Sequence, residues 1–99
     1  MAEGKKPATI PPAGRVVMVS GANRGIGLAV ARHLHGLGYR LSLGARDPAK
    51  LAEAVADLGD DVLQWRYDAE DRPTAAAWVA ATAERFGKID ALVNNAGVL

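Results

Sequence analysis

The stretch Ser20-Gly21-Ala22-Asn23-Arg24-Gly25-Ile26-Gly27 constrains this chain more than any other. Three glycines stand at G-x-x-x-G-x-G spacing between a short apolar run, Arg15-Val16-Val17-Met18-Val19-Ser20, and a segment with helical periodicity. A continuous apolar run of that length suits a central parallel strand buried on both faces. Gly21 permits a tight turn out of the strand. Gly25 has no side chain, so the phosphates of a ligand can approach the backbone, and Gly27 lets the helix lie close to the sheet. The start of that helix offers free N–H groups and the positive end of its dipole to an anion. Glycines also serve plain turns, but a strand before and a helix after are the context that a dinucleotide pyrophosphate requires.

The rest of the chain repeats the same grammar. Ile26, Val30, Leu34 and Leu37 recur at helical spacing and predict the inner face of a first helix, with Arg32 and His33 turned away. Gly36 and Gly38 mark its end. Arg40-Leu41-Ser42-Leu43 reads as a second strand. Asp47-Pro48 opens a second helix, with Asp47 as its cap and Leu51, Val55 and Leu58 facing inward. Gly59 to Asp61 turn the chain into a third strand, Val62 to Tyr67, which ends at Asp68. Asp71 or Thr74, beside Pro73, opens a third helix with Ala75, Val79, Thr82 and Phe86 on one face, and Gly87 closes it. Ile89 to Val93 is a fourth strand. Trp65, inside a strand, and Trp78, on a helix, are expected in helix–sheet packing rather than in base stacking. The order β-α-β-α-β-α-β demands parallel pairing. It predicts a Rossmann-type, doubly wound α/β sheet in three layers, of which the first four strands are present in the order 3-2-1-4.

The ligand of such a sheet sits at the carboxyl ends of its strands, near the switch point between the first and fourth. Four signals fall there: the glycine loop, Arg46 after the second strand, Asp68 after the third, and Asn95-Ala96-Gly97 after the fourth. An NAD site usually places an acid at the end of the second strand, to bond the ribose hydroxyls. This chain has Ala45-Arg46 there, and Arg24 reaches the same region from the glycine loop. Two guanidinium groups suit a 2′-phosphate, so NADP is expected over NAD. The alternative is that Arg46 is merely solvated and leads into the Asp47-Pro48 turn. Asp68 can accept a bond from an adenine amino group, with Ala69 along the ring, or it can cap nearby N–H groups; both roles are compatible. Asn94 and Asn95 leave the fourth strand, where an Asn side chain can tie neighbouring strands. The small pair Ala96-Gly97 leaves room for a ribose.

These residues resemble the classical short-chain dehydrogenase/reductase family over about residues 15–99. The resemblance implies an NAD(P)-dependent oxidoreductase that moves hydride between nicotinamide and a carbonyl or alcohol, acting as a dimer or tetramer. It implies that the loop from Gly21 through Asn23, Arg24 and Gly25 to Ile26 and Gly27 holds pyrophosphate and ribose. It implies that Arg24 and Arg46 match the basic pair of the NADP-preferring branch, and that Asp68 and Ala69 contact adenine. Asn95, Ala96 and Gly97 would flank the nicotinamide ribose while Asn94 braces the sheet. Ser20 stands where the family more often has Thr, and the hydroxyl is kept. The family's catalytic Ser and Tyr-x-x-x-Lys lie further along than Leu99. Tyr39 and Tyr67 each lack a lysine four residues on, so no catalytic residue is assigned within these 99 residues. The expectation is the cofactor half of a longer enzyme. A non-catalytic NADP-binding module is the runner-up, and a flavodoxin-like interaction domain would require the site residues to coincide by chance.

Composition excludes several other classes. A net charge of +1 argues for neither nucleic acid nor an anionic membrane surface. There is no cysteine, hence no disulfide or thiolate metal site. His33 and His35 share one helix with no partner at metal spacing and read as a solvated face. The Pro/Ala/Gly/Lys-rich stretch 1–14 lacks any period and is expected to be a flexible lead-in. Pro7, Pro11 and Pro12 stand where a signal peptide would need its apolar core, and no run approaches the ~20 residues of a membrane span. A cytoplasmic location is expected.

Overall fold

The computed structural model describes residues 14–95; the lead-in 1–13 and residues 96–99 lie outside the described region. The elements are β1 (Val16–Ser20), α1 (Gly25–Gly36), β2 (Arg40–Ala45), α2 (Pro48–Ala54), β3 (Leu63–Arg66), α3 (Arg72–Phe86) and β4 (Ala91–Val93), with one 3₁₀ turn over Ala56–Leu58. All pairings are parallel and the sheet order is β3-β2-β1-β4. The central strand β1 is buried along its whole length, as a continuous apolar run requires.

Alternation along the strands separates two cores. On one face Val17, Val19, Leu41, Leu43 and Ala45 pack with Ala31 of α1, Leu51 of α2, and Val55, Leu58 and Val62. The inward residues of α2 are those expected from the spacing, although the helix itself stops at Ala54 and the 3₁₀ turn carries Leu58 inward. Asp47 caps α2 by accepting the N–H groups of Ala49 at 3.0 Å and Lys50 at 3.1 Å.

The opposite face is covered by α3, and its contact is partly polar. The Trp78 indole N–H donates to Ser42 Oγ at 2.8 Å, and Ser42 Oγ lies 2.7 Å from Thr82 Oγ1. The single Thr82 hydroxyl hydrogen goes to the Trp78 carbonyl at 2.8 Å. Ser42 must therefore donate to Thr82, and the hydrogens run in one direction: indole, Ser42, Thr82, Trp78 carbonyl. All three residues are buried, so the chain satisfies polar groups that would otherwise be costly. Gly44 makes room for the indole, because a Cβ there would stand 2.9 Å from Trp78 Cζ2 and 3.0 Å from the Tyr67 Cβ. Tyr67 packs on the same indole with ring centroids 4.9 Å apart.

Three helix and strand faces differ from the spacing-based reading. Ile26 and Leu37 are 71% and 50% exposed, and the inner face of α1 is Gly27 and Ala31, flanked by Leu28 and Leu34. Val79 is 48% exposed, and Trp78 with Thr82 faces the sheet instead. Trp65 is half-exposed on the edge strand β3 and does not join the core. In α1 the small residues Gly27 and Ala31 set the closest approach, in α3 the buried polar contacts of Trp78 and Thr82 fix the inward face, and β3 lies at the outer side of the strand order.

The ends of the strands opposite the glycine loop are clamped by charge. Asp90 accepts the Val16 N–H at 2.8 Å and sits near Lys88 and Arg15, at 3.3 and 3.6 Å. The Val16 N–H, ahead of the two cations, holds its carboxyl below the usual 3.8. Arg32 of α1 makes a two-pronged pair with Asp57 at 2.8 and 2.9 Å and donates to the Ala54 carbonyl at 3.0 Å. The hydrogen bond between them raises the Arg32 pKa and lowers that of Asp57.

Candidate functional site

Because every strand is parallel, the loops after β1, β2, β3 and β4 emerge at one end of the sheet. Gly21 leaves β1 with φ +63°, and Gly25 enters α1 with φ +58°, both in the left-handed region that favours glycine. The Ala22 N–H bonds the Gly44 carbonyl at 3.2 Å and ties the loop to β2. Gly27 is required sterically: a Cβ there would collide with the Gly21 carbonyl oxygen and lie 2.8 Å from Asn95 Nδ2. A Cβ on Gly25, by contrast, would meet nothing within 4 Å, so that side of the loop is open. Arg24 is the N-cap residue of α1, but no side chain caps the helix and its first turn contains no acid. The first N–H groups of α1 are thus left for an anion.

The end of β4 is bound to the glycine loop through Ser20. Its buried hydroxyl accepts the Asn95 N–H at 2.7 Å and faces Asn94 Oδ1 at 3.1 Å and the Val93 carbonyl at 3.4 Å. The Asn95 side chain donates to the Gly21 carbonyl at 3.4 Å. Gly21, Gly27 and Asn95 therefore meet between β1 and β4, where the strand order reverses. Asn94 contacts Ser20, and Asn95 carries the link to the loop.

Arg24 and Arg46 are both exposed, and neither has an ion pair or side-chain hydrogen bond among the described residues. The nearest acid in sequence after β2 is Asp47, whose carboxylate is committed to the start of α2. Asp68 follows β3. Its Oδ1 accepts the Glu70 N–H at 2.9 Å, and its Oδ2 lies 3.8 Å from the Arg66 guanidinium. The capping role that the sequence allows for Asp68 is thus present, and its side chain remains 22% exposed. Asn23 is half-buried in the loop, Ile26 stands exposed at its rim, and Ala69 is exposed beside Asp68. Ala96 and Gly97 lie outside the described residues.

Thr74 is the site residue that sequence reasoning treats only as a helix opener. Its hydroxyl accepts the Asp68 N–H at 2.9 Å and faces the carbonyls of Asp68 at 3.0 Å and Asp71 at 2.7 Å. A hydroxyl in the first turn after a Pro, six residues from a loop acid, was the available signal. Among the described residues no group of His, Cys, Asp or Glu could hold a metal ion, and no helix is long and apolar enough to cross a membrane.

Comparison with known proteins places this geometry. The short chain dehydrogenase family profile matches residues 15–99. An agropine synthesis reductase of Rhizobium rhizogenes is 54% identical over 82 residues, which are 83% of this chain and 19% of that protein. An L-rhamnose 1-dehydrogenase (NAD(P)(+)) of Azotobacter vinelandii is 40% identical over 91 residues, covering 85% of this chain and 36% of the other. Among solved structures, a 3-ketoacyl-(acyl-carrier-protein) reductase from Brucella melitensis complexed with NADH superposes with a TM-score of 0.81 at 32% identity. It covers 87% of this chain and 36% of its own. The chain therefore spans between about a fifth and a third of the length of these relatives. With a parallel 3-2-1-4 sheet, the glycine loop at its switch point and a profile match over residues 15–99, the chain belongs to the short-chain dehydrogenase family.

Proposed function

We propose that this chain is the dinucleotide-binding part of an NADP(H)-dependent oxidoreductase acting on a small carbonyl or alcohol substrate. The observation that carries the reading is the meeting of Gly21, Gly27 and Asn95 beside the uncapped start of α1. The cradle accepts a pyrophosphate at the open side of Gly25, where backbone N–H groups and the helix dipole supply the positive potential. Gly21, Asn23, Gly25, Ile26 and Gly27 line the phosphate path, and Asn95, Ala96 and Gly97 flank the nicotinamide side. Asp68 and Ala69 face the adenine. The hydride chemistry belongs to the nicotinamide when it is bound; these residues bind and orient it. Residues that handle the substrate proton are expected on chain beyond Leu99, as is the surface for a dimer or tetramer.

The preference for NADP rests on charge. Arg24 and Arg46 have no ion pair among the described residues and can pair with a 2′-phosphate, and Asp47, the next residue after Arg46, is turned to its own helix. The solved Brucella melitensis neighbour is complexed with NADH, so the two cofactors are compared directly. Calorimetric titration of the protein with NADP⁺ and NAD⁺ is the test. NADP⁺ should bind more tightly, and Arg46→Asp should move the ratio towards NAD⁺ by roughly tenfold or more. An unchanged ratio in the variant sinks the assignment of Arg46; no binding of either dinucleotide sinks the function.

A further inference from the structure

We propose that Thr74 is a positioning residue for adenine recognition: its hydroxyl grips both sides of the Asp68 peptide and so holds the Asp68 carboxylate as a fixed acceptor for the adenine amino group. The inference rests on the dinucleotide reading above and deepens it.

The loop between β3 and α3 lies outside the strand ladder. β3 ends at Arg66 and α3 begins at Arg72, so residues 67–71 must be held by something other than the sheet ladder. Tyr67 N–H still bonds the Ala45 carbonyl at 2.9 Å, which is the last backbone link to β2. Beyond it the Asp68 N–H donates to Thr74 Oγ1 at 2.9 Å, and the Asp68 carbonyl accepts from the same hydroxyl at 3.0 Å as well as from the Asp71 N–H at 2.9 Å. The same hydroxyl faces the Asp71 carbonyl at 2.7 Å, so its one hydrogen is shared between two acceptors while its lone pair takes the Asp68 N–H. Thr74 is carried on the first turn of α3, and α3 is anchored to the sheet through Trp78, Ser42 and Thr82. The placement of Asp68 is therefore referred back to β2 through a helix.

The side chain of Asp68 is then fixed by two further contacts. Glu70 N–H donates to Oδ1 at 2.9 Å, and the Arg66 guanidinium stands 3.8 Å from Oδ2. A carboxylate has about four lone-pair positions, so these contacts orient the group and leave acceptor capacity for a ligand N–H. A group held in its binding geometry loses less freedom when the ligand arrives, which is where a positioning residue acts. A β-branched residue suits the task, since its side-chain rotation is restricted.

The test compares NADP⁺ with nicotinamide hypoxanthine dinucleotide phosphate, in which a carbonyl replaces the adenine amino group. In the unaltered protein NADP⁺ should bind about five- to tenfold more tightly than the analogue. Thr74→Val, nearly the same in shape but without the hydroxyl, should bring that ratio close to one, and Thr74→Ser should restore it. A loss of stability alone would weaken both ligands together and leave the ratio unchanged. Thr74→Ala is measured beside Thr74→Val, so that a folding defect in one variant does not decide the matter. A ratio unchanged in the variant that folds overturns the proposal while leaving the dinucleotide site intact. Equal binding of the two ligands by the unaltered protein also overturns it. Binding of neither ligand overturns the underlying site instead.

Discussion

Two glycines in α1 predict opposite answers to the same substitution. Gly27→Ala adds a methyl group that would collide with the Gly21 carbonyl oxygen and stand 2.8 Å from Asn95 Nδ2. Gly36→Ala adds the same group at the end of the same helix, where nothing lies within 4 Å. Alanine is favoured over glycine in a helix by about 1 kcal/mol, and that gain applies at both sites. At Gly27 the overlap is with backbone, which cannot swing aside as a side chain can, so the cost of overpacking lies near the upper end of about 1–3 kcal/mol. The net effect is a loss of about 2 kcal/mol at Gly27 and a gain of about 0.5–1 kcal/mol at Gly36. For a domain of this size the first lowers Tm by roughly 8–16 °C and the second raises it by a few degrees. Thermal unfolding followed by circular dichroism reads both shifts, and urea titration at 25 °C checks them away from Tm. Gly27→Ala should also weaken dinucleotide binding, because relief of the clash must move Gly21 or Asn95. If Gly27→Ala is as stable as the unaltered chain, close helix–loop approach is not what selects glycine there.

Two further outcomes test the supports of the fold. Ser42→Ala leaves the buried indole N–H without its acceptor and should cost about 1–3 kcal/mol in urea unfolding; combined with Trp78→Phe it should cost much less than the sum of the single changes. Additive costs would refute the directed hydrogen-bond chain. Asp90 and Asp57 have carboxyl pKa values held below 3.8 in the folded state, so the stability they contribute is present above that pH and lost as pH falls through the folded values. Asp90→Asn should flatten the fall in stability below about pH 4, a change readable from acid-unfolding curves; an unaltered slope would show that the Val16 N–H does not favour the charged form.

Much of the fold is written in local signals. The glycine loop between an apolar run and a helix, the Asp47-Pro48 start and the Gly87 stop each act within a few residues, so the element order and the parallel sheet follow from them. The rotation of each helix is a different matter. Apolar spacing marks a stripe, and it placed Ile26, Leu37 and Val79 inward. Packing instead turned inward the residues that allow closest approach, Gly27 and Ala31, or that find a buried polar partner, Trp78 and Thr82. Trp65 illustrates the same limit at the sheet edge, where a strand-forming residue has a second sheet neighbour on one side alone.

The site divides along the same line. Local chemistry determined which residue types stand after each strand: glycines free to take positive φ and an arginine after β1, a second arginine directly after β2, an aspartate after β3 and asparagines after β4. Tertiary structure decided how they meet. The contact of Asn95 with Gly21, the commitment of Asp47 to its own helix and the grip of Thr74 on Asp68 depend on distances that are set only when the helices dock on the sheet. Spacing along a chain encodes periodicity, which specifies a face; it does not encode the height and rotation of one element over another, which follow from the volumes and hydrogen bonds of residues far apart in sequence.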